Sequence, residues 1–133
     1  DKQDCNFQAE LAMTKMTDMI TSLGISSKGG KIDCIISHDG GMLTGIVSAL
    51  EAAGYQPGDV KIVACGSNMV VYDALKSGWL SATSTQDPVT EGAQAVEILH
   101  KIVTNPDSVT PGWIKLDTPI AFPETADDFN WFE

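Results

Sequence analysis

The stretch that decides the fold is Ile32-Asp33-Cys34-Ile35-Ile36-Ser37-His38-Asp39-Gly40-Gly41-Met42-Leu43-Thr44-Gly45. An apolar run ends in polar residues, a double-glycine turn follows, and a helical pattern then continues to Gly54. This order is typical of a strand–turn–helix unit in an α/β protein. Because open α/β sheets bind ligands outside the carboxyl ends of their strands, the stretch also indicates where a binding site lies.

The same alternation of strand and helix patterns continues on both sides of this stretch. It predicts a mainly parallel sheet with right-handed crossovers, flanked by helices in a three-layer α/β arrangement. Two short extended pieces, split by Pro119, are expected within 113–122. The predicted helices cover 9–22, 42–53, 69–77 and 88–103, and the predicted strands cover 32–37, 60–65 and 80–85.

Composition excludes some classes of partner. The chain has 133 residues, eight lysines, no arginine and a net charge of −10, so it lacks the clustered basic residues that bind nucleic acid. No apolar run approaches the ~20 residues of a membrane span. Three cysteines, Cys5, Cys34 and Cys65, match no metal-binding spacing and are expected to be free thiols.

No sequence feature supports catalysis. The chain contains neither a phosphate-binding glycine motif nor a nucleophile elbow. Neighbouring side chains on a strand point to opposite faces, so the adjacent His38 and Asp39 do not form a dyad. The two histidines and scattered carboxylates lack the spacing of a metal site. We therefore expect no catalytic residue, no metal and no cofactor.

Polar residues gather instead where successive predicted strands end. Short side chains of this kind supply both donors and acceptors, which suits a polyhydroxylated ligand. Three of them have an alternative role that remains open: Asp39 as a helix cap, His38 as a half-buried structural histidine, and Gln86 as a hinge residue bonded to backbone. The candidate ligand-binding residues at these strand ends are His38, Asp39, Gly66, Ser67, Asn68 and Gln86.

Four motifs in order carry a resemblance to a known family. They are Asn6-Phe7-Gln8, Ile35-Ile36-Ser37-His38-Asp39-Gly40-Gly41-Met42-Leu43-Thr44-Gly45, Val63-Ala64-Cys65-Gly66-Ser67 and Ser77-Gly78-Trp79-Leu80-Ser81-Ala82-Thr83-Ser84-Thr85-Gln86-Asp87-Pro88. Together they resemble the C-terminal lobe of the periplasmic sugar-binding proteins of ABC importers, the ribose-binding-like group of type I binding proteins. The resemblance covers nearly the whole chain.

The resemblance implies roles for individual residues. Phe7 would pack on the face of a sugar, and Gln86 matches a hinge glutamine that touches ligand. Asp39 takes the place of a contact asparagine if no gap is allowed, whereas a one-residue gap puts His38 there. Gly66 departs from the family, which usually has an aspartate at this position. Ser67 and Asn68 are the nearest residues that could compensate.

The resemblance also implies a division of the chain. Residues 1–86 would form the C-terminal ligand-binding lobe, 87–105 a helix that belongs with a missing N-terminal lobe, and 106–133 a return segment and tail. The helix carries an apolar stripe, which we expect to pack on its own sheet or against a second copy of the chain.

The implied function is capture of a sugar or related polar small molecule for the membrane permease of an ABC importer. The implied location is periplasmic or extracellular, with lipid anchoring left open. Two alternatives share the fold: the effector-binding core of a LacI-type transcription regulator and the sensing domain of a membrane receptor. The first residues of the full-length product would separate these three.

Overall fold

Four strands form one sheet in the order β1-β2-β3-β4, and the computed structural model describes residues 2–25 and 32–133. The strands are β1 (Cys34–Ser37), β2 (Lys61–Cys65), β3 (Ala82–Ser84) and β4 (Ile120–Ala121). The first three are parallel, and β4 runs antiparallel to β3. The predicted α/β class with a mainly parallel sheet is confirmed.

Four α-helices alternate with these strands, and side chains fix where two of them begin. They are α1 (Ala9–Ser22), α2 (Leu43–Ala52), α3 (Met69–Lys76) and α4 (Pro88–Thr104). The Asn68 side chain accepts from the backbone N–H of Val71 and starts α3. Asp87 caps α4 in the same way, and Pro88 occupies its first turn, where no amide hydrogen is needed.

The hydrophobic core lies on one face of the sheet. Ile62 and Ala64 of β2 are buried on that face, and Thr83 and Ala121 continue it through the strand register. Buried apolar side chains of α2 and α3 belong to the same core cluster. The helical part of that cluster includes Leu43, Ile46, Leu50, Val71 and Leu75.

The helices α1 and α2 cross at very close range. A Cβ atom on Gly45 would overlap the backbone carbonyl oxygen of Ala9 and would lie 2.9 Å from the amide nitrogen of Met13. Only a residue without a side chain allows this approach. The crossing brings the start of α1 beside the one-turn 3₁₀ helix Gly40–Met42 that precedes α2.

The second face of the sheet is left open by the described part of the chain. Ile36 of β1 is 68% exposed and Ile120 of β4 is 49% exposed. Val63 and Ala82, which continue this face between them, are only half-buried. Burial therefore alternates along each strand, as expected when packing covers a single face.

Helix α4 does not pack on the sheet. None of its residues is buried, and Val89, Val96, Leu99 and Val103 are among its exposed apolar side chains. The expectation that its stripe packs back on its own sheet is therefore wrong. The core face of the sheet is covered by α2 and α3, and no residue of α4 is buried against either face.

The structure also tests the two extended pieces expected within 113–122 and the expected free state of the three cysteines. Within 113–122 only Ile120–Ala121 is extended strand, because only these residues lie beside β3. Cys5, Cys34 and Cys65 are free. Cys34 pairs in register with Lys61, and Cys65 lies four residues further along β2, a separation of roughly 13 Å at the usual strand rise.

None of the described helices is long and apolar enough to cross a membrane.

Candidate functional site

The predicted site residues lie along the carboxyl edge of the parallel strands. Asp39 follows β1, Gly66 follows β2 and Gln86 follows β3. A Cβ atom on Gly66 would lie 3.4 Å from the backbone nitrogen of Gly40, so the first two strand ends are in contact. The structure thus brings these three predicted positions to one edge of the sheet.

Asp39 has the capping role that the sequence left open. One of its carboxylate oxygens accepts a hydrogen bond of 2.8 Å from the backbone N–H of Gly41, which begins the turn before α2. The hydroxyl of Ser37 donates to the Asp39 carbonyl at 2.7 Å. Asp39 is half-buried and His38 is exposed. These contacts hold the Asp39 carboxylate at the edge, and its contact with ligand stays a prediction.

The backbone at Gly66 explains why this position carries no side chain. Its φ is +145°, a conformation that residues with a Cβ atom rarely adopt. The Gly66 N–H donates to the Ser84 carbonyl at 3.0 Å, and the Thr83 hydroxyl donates to the Gly66 carbonyl at 3.0 Å. The loop is therefore held tightly between β2 and β3.

Ser67 links this loop to the segment after β3. Only 8% of Ser67 is exposed, and its hydroxyl oxygen accepts a 2.7 Å hydrogen bond from the backbone N–H of Gln86. The neighbouring Thr85 donates to the Pro119 carbonyl through its backbone N–H and its hydroxyl, at 2.8 and 2.9 Å. These bonds fix the position of Gln86, whose side chain has no hydrogen-bond partner in the described residues.

Asn68 supports the site rather than pointing freely at a ligand. Its Oδ1 accepts from the Val71 N–H at 3.0 Å and caps α3. The same side-chain amide lies 3.3 to 3.5 Å from where a Cβ atom of Gly40 would be. Asn68 therefore packs the loop after β2 against the turn after β1.

Phe7 stands on a strained turn just before α1. It is 72% exposed, and both Asn6 and Phe7 have positive φ, at 47° and 57°. Such backbone conformations are costly for residues other than glycine and are often kept at binding sites. Phe7 lies two residues before α1, which contacts the Gly40–Met42 turn after β1, so we expect Phe7 near this edge of the sheet. Its contact with ligand stays a prediction.

Residues 120–133, which we call the C-terminal clamp, contact the candidate site in a way that no sequence pattern predicts. The Phe132 N–H donates to the Ser67 carbonyl at 2.8 Å, and the Met69 N–H donates to the Phe132 carbonyl at 2.9 Å. The clamp is therefore hydrogen-bonded to the backbone of the residues on both sides of Asn68. The signal was the aromatic and acidic character of the tail, but no local pattern identifies its distant partner.

An ionic hydrogen-bond network ties the clamp to α3. Asp127 accepts from the Tyr72 hydroxyl and from the Lys76 ammonium, each at 2.9 Å. The bond from Lys76, followed by that from Tyr72, lowers the pKa of Asp127, while the bond to Asp127 raises the pKa of both donors. The Tyr72 ring also packs against Trp131, with ring centroids 5.5 Å apart.

A cleft of about 190 Å³ lies between the strand ends and the clamp. Ser67 and Gln86 line it from the strand ends, and Asp128, Phe129 and Asn130 line it from the clamp. Asp117 and Asp87 add two further carboxylates. Asp87 is already bonded to Thr90 at 2.6 Å, which lowers the pKa of Asp87. No basic residue lines the cleft.

Within residues 2–25 and 32–133, no group of three or more histidine, cysteine, aspartate or glutamate side chains is placed to hold a metal ion.

The chain belongs to the periplasmic binding protein domain family, whose family model matches residues 1–107. The parallel strands β1 to β3 and their polar carboxyl edge agree with this family. No curated protein matches the chain. The C-terminal clamp lies outside the matched residues.

Solved structures of sugar-binding proteins share the fold. The binding component of an arabinose ABC transporter from Shewanella sp. ANA-3, bound to L-arabinofuranose, has a TM-score of 0.79 and 21% identity over 95% of this chain. A solute-binding protein from Actinobacillus succinogenes 130z with bound D-allose has a TM-score of 0.79 and 23% identity over 96%. One from Bacillus halodurans C-125 with bound myo-inositol has a TM-score of 0.71 and 25% identity over 92%.

The chain spans about two-fifths of each of these relatives. It covers 40% of the arabinose-transporter component, 42% of the allose-bound protein and 39% of the inositol-bound protein.

Proposed function

We propose that this chain is the ligand-binding lobe of an extracytoplasmic solute-binding protein that captures a sugar or sugar-like small molecule for an ABC importer. One observation carries the proposal: Asp39, the Gly66–Asn68 loop and Gln86 share the carboxyl edge of the parallel strands. Ligands of open α/β sheets bind at this edge. Family membership and the sugar-bound relatives support the same class of ligand.

The chemistry of the edge favours a neutral, hydroxyl-rich ligand. The Asp39 carboxylate accepts hydrogen bonds from hydroxyl groups, and the Gln86 amide both donates and accepts. The exposed ring of Phe7 offers an apolar surface for the less polar face of a sugar. None of these groups is a nucleophile activated by a base, so the proposal is a binding protein and not an enzyme.

The packing of the described residues supports the proposed division of the chain into three parts. Residues 1–86 build the edge, while α4 within 87–105 exposes its apolar stripe and buries none of it. We assign α4 to packing against a second lobe in the complete protein, where that stripe leaves water. Residues 106–133 return to the sheet through β4 and end in the clamp.

The second lobe and the permease complete the proposed function. A site at one open edge leaves much of a small ligand in water, whereas binding sites normally bury most of it. A second lobe that closes over the edge would supply the missing contacts. The proposed location is periplasmic or extracellular, since this is where proteins of this family meet their ligands. The acidic chain supports no nucleic-acid partner.

Calorimetry of the complete protein against neutral pentoses, hexoses and inositols tests the proposal. We expect one of these ligands to bind with micromolar affinity or better, and the 133-residue chain alone to bind it weakly or undetectably. Gln86→Ala should weaken binding about tenfold, because a side-chain hydrogen bond to the enclosed ligand is lost. Gln56→Ala is the matched control, since Gln56 precedes β2 at the opposite end of the sheet.

Two outcomes would contradict the account in different ways. A complete protein that binds no neutral sugar would refute the proposed ligand class. Micromolar binding by the 133-residue chain alone would show that the site is complete without a second lobe.

A further inference from the structure

We infer that the C-terminal clamp supplies a subsite for ligand hydroxyl groups, with Asp128 and Asn130 as its specificity-determining residues, and that this subsite excludes anionic sugars. The inference rests on the proposed function and deepens it. It starts from the cleft in which the clamp residues face Ser67 and Gln86, two residues already placed in the candidate site.

The cleft is too small to hold a complete ligand. About 190 Å³ is smaller than the ~300–1,000 Å³ of complete small-molecule pockets. The cleft adjoins the carboxyl edge through Ser67 and Gln86, which line both. A hydroxyl-bearing arm of a ligand at the edge would therefore extend into the cleft.

The cleft contains hydrogen-bonding groups that the protein itself leaves unused. Ser67 is nine-tenths buried and its oxygen accepts from Gln86, but its hydroxyl hydrogen has no acceptor among the described residues. The side chains of Asp128 and Asn130 likewise make no hydrogen bond within the described structure. A serine donor opposite carboxylate and amide acceptors fits a hydroxyl group, which both accepts and donates.

The charge of the cleft sets its selectivity. Asp87, Asp117 and Asp128 line it, and no lysine or histidine does. A phosphate or carboxylate placed there would meet only like charge, which disfavours binding. Ligand hydroxyl groups would instead donate charge-assisted hydrogen bonds to the same carboxylates. We therefore expect a neutral sugar to be preferred over its uronic acid counterpart.

The clamp is held in place independently of any ligand. Phe132 pairs with the backbone on both sides of Asn68, and Asp127 bonds to Tyr72 and Lys76. Asp127 and Asp128 are adjacent, yet Asp127 bonds to α3 and Asp128 lines the cleft. The two neighbouring carboxylates therefore have separable roles.

The test compares the complete protein with its Asp128→Asn and Asn130→Ala variants by calorimetry. The probes are the neutral sugar that binds tightest and its uronic acid counterpart. We expect each variant to bind the neutral sugar about tenfold more weakly, since a hydrogen bond to a buried ligand is lost. Asp128→Asn should also narrow the preference for the neutral sugar, because one repelling charge is gone.

Glu124→Gln is the matched control. It removes one negative charge from the exposed part of the clamp outside the cleft and should leave both affinities unchanged. Thermal unfolding confirms that each variant is folded, and Asn130→Ala tests the subsite without altering charge. Unchanged affinity and unchanged preference in both cleft variants would overturn the subsite while leaving the proposed function intact. A wild-type protein that binds no neutral sugar would overturn both.

Discussion

The backbone N–H of Gln86 donates to the hydroxyl oxygen of Ser67 at 2.7 Å. This bond joins the loop after β2 to the segment after β3, so it ties two strand ends of the site together. Ser67 is buried while the Gln86 side chain is exposed. The buried serine therefore fixes the direction in which the exposed glutamine leaves the sheet.

Ser67→Ala should cause a larger loss of ligand-binding free energy than of unfolding free energy. Loss of the hydroxyl leaves the Gln86 N–H without its partner and should cost about 1 kcal/mol of unfolding free energy. Urea unfolding measures this cost, and calorimetry of the complete protein measures ligand affinity. Ser84→Ala is the control, because the Ser84 hydroxyl makes no hydrogen bond within the described residues, and the Ser84 carbonyl that accepts from Gly66 and Thr83 is unchanged. Equal effects of the two substitutions would contradict the linking role of Ser67.

Two helical glycines should respond to alanine in opposite directions. Gly45→Ala places a methyl group against the Ala9 carbonyl at the α1–α2 crossing and should destabilise the protein by about 3 kcal/mol. Gly92 in α4 has open space around it, so Gly92→Ala should stabilise the protein by roughly 0.5–1 kcal/mol. Denaturant unfolding of both variants checks the pair. A tolerated Gly45→Ala would mean that the two helices do not cross as described.

Removal of the Asp127 carboxylate should change how stability depends on pH. The pKa of Asp127 lies below its ordinary 3.8 in the folded state, so its contribution is present above pH 3.8 and is lost as pH falls through the lowered value. Asp127→Asn should therefore have a lower midpoint of thermal unfolding than the wild type near neutral pH. The two midpoints should converge in acid.

At alkaline pH, Lys76, the partner of Asp127, loses its contribution to stability as pH rises rather than as it falls. The pKa of Lys76 lies above its ordinary 10.5, so its contribution is present below that pH and is lost as pH rises through the raised value.

A difference in unfolding midpoint between wild type and Asp127→Asn that stays constant from acid to neutral pH would contradict the hydrogen-bond network of Asp127, Tyr72 and Lys76.

The two tyrosines should differ on replacement by phenylalanine. The Tyr55 hydroxyl is buried and has no hydrogen-bond partner among the described residues, so Tyr55→Phe should change the unfolding free energy by less than ~0.5 kcal/mol or stabilise the protein. Tyr72→Phe loses the bond to Asp127 and should lower the melting temperature. Thermal unfolding distinguishes them, and a large loss in Tyr55→Phe would reveal a partner for its hydroxyl.

Local sequence patterns predicted the four α-helices and the three parallel strands. The apolar spacing of 9–22 matches α1 at both ends, and Asp87-Pro88 marks the start of α4. The strands are shorter at their amino ends than predicted. For example, β1 begins at Cys34 and not at Ile32. An apolar residue extends a strand only where a neighbouring strand pairs with it.

The site was only partly predictable. Residues after parallel strands share an edge by geometry, so Asp39, Gly66 and Gln86 could be grouped from the sequence. The clamp could not, because its bonds from Asp127 to Tyr72 and Lys76 span more than fifty residues and leave no local pattern. Asp128 and Asn130 were missed for the same reason.

A crystal structure of the complete protein with its tightest-binding neutral sugar tests the central claim most directly. We expect the sugar at the carboxyl edge of β1, β2 and β3, with a hydrogen bond from the Gln86 side chain and contacts to Asp39 and the Gly66–Asn68 loop. A sugar bound elsewhere, with none of these residues in contact, would contradict the assignment of this edge as the binding site.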